Sequence, residues 1–490
     1  MTLDPDAAYQ ALAARDARFD GRLFVGVTST GVYCRPICRV RTPQQRHCRF
    51  FATPAQAEAE AFRPCLKCRP EIAPGAGLPW SVMDASRTLA HQAAQALNEQ
   101  VGSGEAAALA AHVGVSDRHL RRIFVAEHGV TPMQYLQTRR LLLAKQLLTD
   151  SAMPVAQVAL AAGFRSLRRF NAAFVARYRM SPSRLRGAAE RESPASDTAD
   201  AVTITLAYRA PFDHAALLRF FAQRAIPGIE TVGPFGLRRT LRAGAIAPEA
   251  GWIEARFEPA RDRVRLRFAP TLAGASARVV AAARRWLDLD AAPTHIDAVL
   301  ADLPGAPGIR LPGSLDAFEV AVRAVLGQQV TVAAARTLAS RLVTRFGEPT
   351  ATPWAELMHQ FPAPERLGTA TLDDVASLGI PSQRAAALIA LANAWPKLEP
   401  QMTPPAAPDA FIAALCELPG IGPWTAHYIA MRALGWPDAF PPRDVAVLKA
   451  MQRRFGTANQ RGADALAEAW RPWRSYAVLR LWNSLEETDP

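Results

Sequence analysis

The chain has 490 residues, half of them apolar and 8% aromatic, with a formal net charge of +13. That length suits three or four domains with packed cores, and the composition excludes a mainly disordered chain. No apolar run reaches the ~18 residues of a spanning helix, and the N-terminus lacks a signal-peptide pattern, so a soluble intracellular protein with no membrane partner is expected. The charge is uneven: residues 1–190 hold 25 of the 57 Lys and Arg but only 14 of the 44 Asp and Glu. A basic front points to a polyanion, most simply nucleic acid, with a merely solvated basic surface as the alternative.

In chain order, residues 1–20 read as a short helix carrying apolar Ala8, Leu12 and Phe19. Leu23–Val27 and Arg49–Phe51 are strand-like pieces broken by Gly and Pro, and Ala55–Phe62 reads as a helix. Among these pieces lie Cys34-x3-Cys38 and Cys65-x2-Cys68, which account for four of the six cysteines. Two close thiol pairs suit a tetrahedral soft-ligand site, with zinc first because four thiolates close its shell. Two disulfides are the alternative, which a reducing compartment disfavours. Cys48 and Cys416 fit neither spacing and read as ordinary thiols. Pro74-Gly75-Ala76-Gly77-Leu78-Pro79 reads as a linker by its breakers.

Residues 82–187 are patterned as helices, with one sub-pattern occurring twice. Leu109–Phe124 and Val155–Phe170 each combine a small-residue helix, a glycine turn, a serine and a new helix with paired arginines. This is helix-turn-helix spacing, in which the second helix offers its polar face to a DNA groove. Arg118, Arg121 and Arg122 in the first unit, and Arg165, Arg168 and Arg169 in the second, are the expected DNA-facing cations. Two ordinary helical hairpins are the bland alternative.

Glu190–Asp200 is small and polar and reads as an interdomain linker. Val202–Tyr208, Trp252–Phe257 and Arg263–Phe268 alternate as strands, and Ala215–Gln223 and Ser276–Leu287 read as helices, giving an α+β domain. From Leu315 onward helices dominate: Ala317–Leu326, Val332–Phe346, Gln383–Ala394, Asp409–Glu417, Trp424–Ala433, Val445–Phe455 and Arg474–Trp482.

The sharpest motif in this part is Leu418-Pro419-Gly420-Ile421-Gly422-Pro423-Trp424-Thr425. A hairpin turn with Gly420 and Gly422 opening a helix presents backbone N–H groups, which hold a phosphate without reading sequence. Asp444 follows in Phe440-Pro441-Pro442-Arg443-Asp444. Taken alone, it reads as a helix N-cap. The hairpin followed by Asp444 resembles the helix-hairpin-helix superfamily of DNA base-excising glycosylases. Arg310-Leu311-Pro312-Gly313, Ala324-Val325-Leu326-Gly327-Gln328-Gln329-Val330 and Arg471-Pro472-Trp473-Arg474-Ser475-Tyr476 narrow the resemblance to the inducible 3-methyladenine glycosylase family (AlkA type) over about 202–485.

The resemblance implies that Asp444 is the catalytic aspartate, stabilising the oxocarbenium-like sugar. It implies an aromatic pocket for the flipped base at Trp424, Tyr428, Trp482 and Phe220. Val445 stands where an aromatic can occur in the family, and Gln329 stands near the wedge position, with Val330 as the other choice. Trp424 occupies the place of a Schiff-base lysine, so base removal without strand cleavage is implied.

At the front, Gly31-Val32-Tyr33-Cys34-Arg35-Pro36 with Arg63-Pro64-Cys65-x2-Cys68-Arg69-Pro70 resembles the N-terminal domain of the Ada family of methylation-response proteins. The two helix-turn-helix units resemble the AraC-type activator domain. This resemblance covers about 1–187 and implies one zinc ion on Cys34, Cys38, Cys65 and Cys68. It implies that Cys34 takes a methyl from a DNA methyl phosphotriester and that Arg41 and Arg63 touch DNA phosphates. The guanine-O6-methyltransferase motif Pro-Cys-His-Arg that ends many Ada proteins is absent from the sequence.

The expected architecture is therefore multidomain and mainly α with α+β parts. It comprises a four-cysteine zinc domain (1–78), a double helix-turn-helix domain (82–187), a linker (188–201), a TBP-like α+β domain (202–305) and an all-α helix-hairpin-helix domain (306–490). The expected partners are alkylated and promoter duplex DNA and RNA polymerase, in a cytoplasmic, nucleoid-associated setting. The expected function is an alkylation-damage activator joined to a base-excising enzyme. The alternatives are a regulator with a catalytically idle glycosylase part, and an enzyme whose front half is only a tether with a structural Cys34.

Overall fold

The computed structural model describes residues 4–75, 85–99, 106–192, 201–402, 408–457 and 459–486. They form two compact units, 1–210 with 258–281, and 211–257 with 282–490. Among the described residues no helix is long and apolar enough to cross a membrane.

The first unit opens with the helix Pro5–Ala13, capped by Asp4 accepting from the Ala7 N–H at 3.1 Å. Strands β1 (Phe24–Val27), β2 (Val32–Cys34), β3 (Cys48–Phe51) and β4 (Arg63–Pro64) make a sheet of order β3-β1-β2-β4. β1 pairs antiparallel with β2 and β3, while β4 runs parallel to β2. Gly26 is required in β1, because a Cβ there would meet the Phe51 and Phe62 rings at 2.8 and 3.0 Å. β2 and β4 escaped the sequence reading, since three- and two-residue strands are too short to show alternation. The helix behind them is Pro54–Ala59, closed at its start by a Thr53–Gln56 capping box.

The helical part is built on one 19-residue helix, Pro132–Asp150, whose middle and C-terminal turns are largely buried. The helices Ala106–His112 and Asp117–His128 precede it, and Val155–Ala161 and Leu167–Tyr178 follow it. The repeat read from sequence is structural. Gly114 and Gly163 make the turns at φ +75° and +81°, and the Ser116 and Ser166 side chains accept from the His119 and Arg169 N–H groups as N-caps. Buried ionic and polar contacts join the long helix to the cysteine-bearing part. Lys145 meets Glu71 at 2.5 Å, Arg69 forks onto Asp150 at 2.7 and 2.9 Å, and Thr138 donates to Glu58 at 2.9 Å. Removing one partner of such a buried pair typically costs about 3–5 kcal/mol.

The Pro182–Glu192 helix takes in residues assigned above to the linker; 193–200 lie outside the described residues, as does 76–79 of the first linker. Strand β5 (Val202–Ala207) then pairs antiparallel with a strand at Arg263–Phe268. All six β5 residues are buried, so this strand lies between two packed faces. Its Thr205 is bonded twice to the long helix, accepting from Gln146 at 2.6 Å and donating to Asp150 at 2.9 Å.

In the second unit, β6 (Glu230–Gly233), β7 (Gly236–Leu241) and β8 (Gly251–Glu258) form an antiparallel meander. The apolar core gathers round the helix Ala317–Leu326, where Phe318 meets Trp395 edge-on at 5.1 Å. Buried charge fixes that helix to the meander. Arg242 pairs with Asp316, its N-cap, at 2.5 Å, and Glu319 takes Arg239 together with Arg323. One helix reading is corrected. Trp424–Ala433 is an α-helix only over Pro423–Ile429 and then widens into a π-turn, Ala430–Leu434, that ends at left-handed Gly435. Such widened turns are frequent at functional sites.

Candidate metal centre and carboxylate pocket

The parallel β2–β4 register brings the two cysteine pairs together. Tyr33 lies opposite Pro64, and the Cys65 N–H donates to the Tyr33 carbonyl at 2.9 Å, which sets Cys34 beside Cys65. A turn returns Cys38, whose N–H donates to the Arg35 carbonyl at 3.2 Å. Arg35 anchors the fourth member. Its N–H donates to Cys68 Sγ at 3.4 Å and its Nη1 to the Cys68 carbonyl at 3.2 Å, while its Nε reaches Asp20 at 2.8 Å.

All four sulphurs lie within 4.8 Å of one another. A tetrahedral zinc with Zn–S bonds of ~2.3 Å needs sulphurs roughly 3.8 Å apart, so the donor set fits. The cysteines are free thiols, which removes the disulfide alternative. They share protons: hydrogen bonds from Cys34 and then Cys38 and Cys68 drive Cys65 far below the usual thiol range. Hydrogen bonding within the group pushes Cys34 and Cys68 up. A divalent ion relieves that competition by taking all four as thiolates, and the quartet is a zinc site.

Around it, Arg41 is exposed and Arg63 half-buried on β4. Arg118, Arg121 and Arg122 are exposed on Asp117–His128; Arg168 and Arg169 are exposed in the first turn of Leu167–Tyr178, and Arg165 is exposed just before that helix's Ser166 N-cap. Five of the six arginines thus stand exposed on the second helix of their unit, where a groove-reading helix carries its cations, and Arg165 stands on the turn leading into one.

In the second unit, Gly420 holds φ +78°, and a Cβ there would meet Ala387 Cβ at 2.8 Å, so glycine is obligatory. Gln328 pins the hairpin, its amide donating to the Gly420 carbonyl at 2.8 Å and to Thr425 Oγ1 at 3.0 Å. Asp444 is an N-cap, as its sequence position alone suggested, and it is more. Oδ1 accepts from the Val447 N–H at 2.8 Å and from Trp482 Nε1 at 3.1 Å, and Oδ2 accepts from Trp424 Nε1 at 2.8 Å. Trp424 and Tyr428 stack at 5.4 Å with their planes 7° apart, and Trp482 lies 6.3 Å from Tyr428. The arrangement is a fixed carboxylate beside a flat aromatic wall.

Phe220 reaches this wall through a cation. Arg432 lies over both the Phe220 ring (4.7 Å) and the Tyr428 ring (5.7 Å), and its Nη1 donates to Tyr428 Oη at 2.8 Å. Arg224 also covers Phe220, at 3.8 Å. Burial pushes the Tyr428 phenol up, but Arg432, Arg224 and Arg323 outweigh it and hold it below the ordinary tyrosine range. Gln329 is exposed in a left-handed conformation at φ +53°, followed by exposed Val330. Val445 is 79% exposed, leaving the pocket open beside Asp444.

Over 491 aligned residues the chain is 37% identical to the probable bifunctional transcriptional activator/DNA repair enzyme AlkA of Mycobacterium tuberculosis, covering 99% of this chain and 97% of that protein. The chain belongs to this family of bifunctional AlkA proteins. Family models match in succession: the metal-binding domain of Ada (7–71), a helix-turn-helix domain (109–188), the AlkA N-terminal domain (203–316) and the HhH-GPD superfamily of base excision DNA repair proteins (322–475). DNA-3-methyladenine glycosylase 2 of Escherichia coli is 37% identical over 279 residues, 57% of this chain and 96% of that protein. The bifunctional activator/repair enzyme Ada of Escherichia coli is 34% identical over 139 residues, 28% of this chain and 37% of that protein. This chain thus carries an Ada-type front and a glycosylase-type back.

Sequence reasoning missed three parts of these sites. The two indole N–H donors to Asp444 were hidden because Trp424 and Trp482 were read only as stacking faces. Gln328, next to the wedge candidate Gln329, holds the hairpin and was not singled out; its position just past the Gly327 C-cap of the Ala317–Leu326 helix was the available signal. Arg432 gave no signal, since nothing local marks an arginine that bonds Tyr428, the Pro312 carbonyl and the Gly313 carbonyl at once.

Proposed function

We propose that this protein excises 3-methyladenine and related alkylated bases from duplex DNA at Asp444, and takes a methyl group from DNA methyl phosphotriesters onto Cys34. The observation that carries the reading is the Asp444 carboxylate, fixed by three N–H donors beside the parallel Trp424–Tyr428 pair. An alkylated purine is already cationic and leaves readily, so the site needs a placed anion and a stacking wall more than a strong acid. The flipped base stacks on Trp424, Tyr428 and Trp482, with Phe220 behind Arg432 closing the far side. As the N-glycosidic bond breaks, its electron pair goes to the base and Asp444 faces the positive sugar. Water then adds at C1′ and its proton leaves to solvent, giving an abasic site. Gly420 and Gly422 hold a backbone phosphate through their turn, and Gln329 or Val330 fills the gap left by the base.

At the front, zinc bound to Cys34, Cys38, Cys65 and Cys68 would keep the sulphurs as thiolates. Cys34 attacks the methyl carbon; the S–C bond forms, the C–O bond breaks, and the electron pair stays on the phosphate oxygen. The thioether has no easy reverse reaction, so the transfer is stoichiometric. Arg41 and Arg63 hold the flanking phosphates, and the two arginine-bearing helices bind promoter DNA. Methylation removes one negative charge facing the backbone, which raises affinity for DNA. RNA polymerase contact and nucleoid association follow from this activator role.

Release of 3-methyladenine from alkylated duplex is the test. The reading requires release by wild type and its loss in Asp444→Asn; equal release by both defeats it.

A further inference from the structure

Beside β4 lies an open cleft of about 370 Å³, lined by residues from Glu58 to Arg63, by Gln137 and Leu141 of the long helix, and by Ala173, Ala176, Arg177 and Arg179 at the second helix-turn-helix unit. Three guanidiniums line it against one carboxylate, Glu58. Arg177 is engaged with that acid, donating to the Glu58 carbonyl at 2.6 Å and lying 3.3 Å from its carboxylate. Arg63 and Arg179 have neither a side-chain hydrogen bond nor an acidic partner among the described residues, and they leave the cleft positive. Ala59, Ala61, Ala173 and Ala176 in its lining are small and leave room for a chain to lie in it.

The sheet register says what that chain is. Val32 pairs with Arg63 in the parallel β2–β4 ladder, and cross-strand neighbours share a face, so Arg63 stands on the same face as Cys34, two residues along. Arg179 follows the second recognition helix directly, as its left-handed C-cap at φ +56°.

We infer that this cleft grips a single DNA backbone phosphate between Arg63 of the metal-bearing sheet and Arg177 and Arg179 of the second helix-turn-helix unit. The methyl-acceptor face and the second recognition helix then bind one continuous stretch of backbone, not two separate sites. The inference rests on the proposed reading that the front unit binds DNA. It adds a phosphate contact from a helix-turn-helix unit to the acceptor's own footprint.

The test titrates full-length protein with an unmethylated non-specific duplex across a salt series. Arg179→Asn suits the left-handed backbone, and Arg179→Lys keeps the charge. Each phosphate contact contributes about 0.9 to the log–log salt slope, so Arg179→Asn should lower the slope by about one and Arg179→Lys should restore most of it. Arg63→Ala should do the same, and the double variant should lose little more than either alone, because both arginines serve one phosphate. A wild-type slope in Arg179→Asn, or fully additive losses, overturns the inference. If inorganic phosphate at matched ionic strength erases the dependence on Arg179, the cleft belongs to the free anion and the assignment to DNA backbone is overturned. Unchanged zinc content in every variant reports an intact front unit. A wild type that does not bind duplex at all would instead defeat the DNA-binding reading on which the cleft depends.

Discussion

Cys34 and Asp444 are buried alike, each with 6% of its surface exposed, but their neighbours treat them in opposite ways. Cys34 stands among three other sulphurs that compete with it for protons. Asp444 stands among an amide and two indole donors that can only give hydrogen bonds. On the proposed reading, the first group needs a cation to become a nucleophile and is consumed when it takes a methyl. On the same reading, the second is a carboxylate held by neutral donors that leaves each turnover unchanged. The proposal thus assigns one chain a single-use site and a recurrent one, and what separates the two side chains is the chemistry of their neighbours, not burial.

The widest separation of the two sites comes from Cys65→Ser. Bound zinc should fall from one per chain to none, measured by metal analysis of the purified protein, with base excision unaffected. A variant that loses both properties would break the comparison. Asp444→Asn is the converse. Excision should drop about 10²–10³-fold, the usual scale for removing a preorganised charge-stabilising group. Zinc content should hold, while thermal stability should drop modestly: Asn keeps the N-cap but turns an NH2 toward an N–H donor that Asp444 accepts from.

A third test concerns stability of the front unit alone. Burial raises Glu58 from 4.5 to about 7, against the opposing pull of Arg177, Thr138 and Tyr33. The fold therefore favours the protonated acid. Its contribution is complete below about pH 4.5 and is lost as pH rises through about 7. It amounts to about 3 kcal/mol at most. Denaturant unfolding across that range should show stability falling more with pH in wild type than in Glu58→Gln, where His128 and other groups still titrate; parallel curves would remove Glu58 as a source. The smallest effect belongs to Trp482→Phe, which keeps a ring but removes one donor to Asp444. Excision should fall about tenfold, and a loss as large as that of Asp444→Asn would mean that the ring carries more of the site than the hydrogen bond.

Both sites were legible in the sequence wherever spacing encodes chemistry. The Cys34/Cys38 and Cys65/Cys68 pairs, the Gly114–Ser116 and Gly163–Ser166 turns, and the Gly420–Gly422 hairpin ahead of Asp444 are all local or evenly spaced signals. What stayed hidden is long-range. Lys145 finds Glu71 across 74 positions, Arg239 finds Glu319 across 80, and Arg432 reaches the Pro312 carbonyl across 120. β2 and β4 set the metal geometry with only five residues between them, too few for any periodicity. The Trp424 and Trp482 indoles were legible as aromatic rings, but which atom faces Asp444 depends on how three helices meet.

The most direct measurement places both lesions on one duplex, a methyl phosphotriester and 3-methyladenine, and follows base release together with the mass of the Cys34 peptide for wild type and Asp444→Asn. The account predicts that wild type releases many bases per chain while Cys34 gains a single methyl group, and that Asp444→Asn loses release but still gains the methyl. Base release that survives Asp444→Asn, or a Cys34 peptide that stays unmodified in wild type, would contradict it.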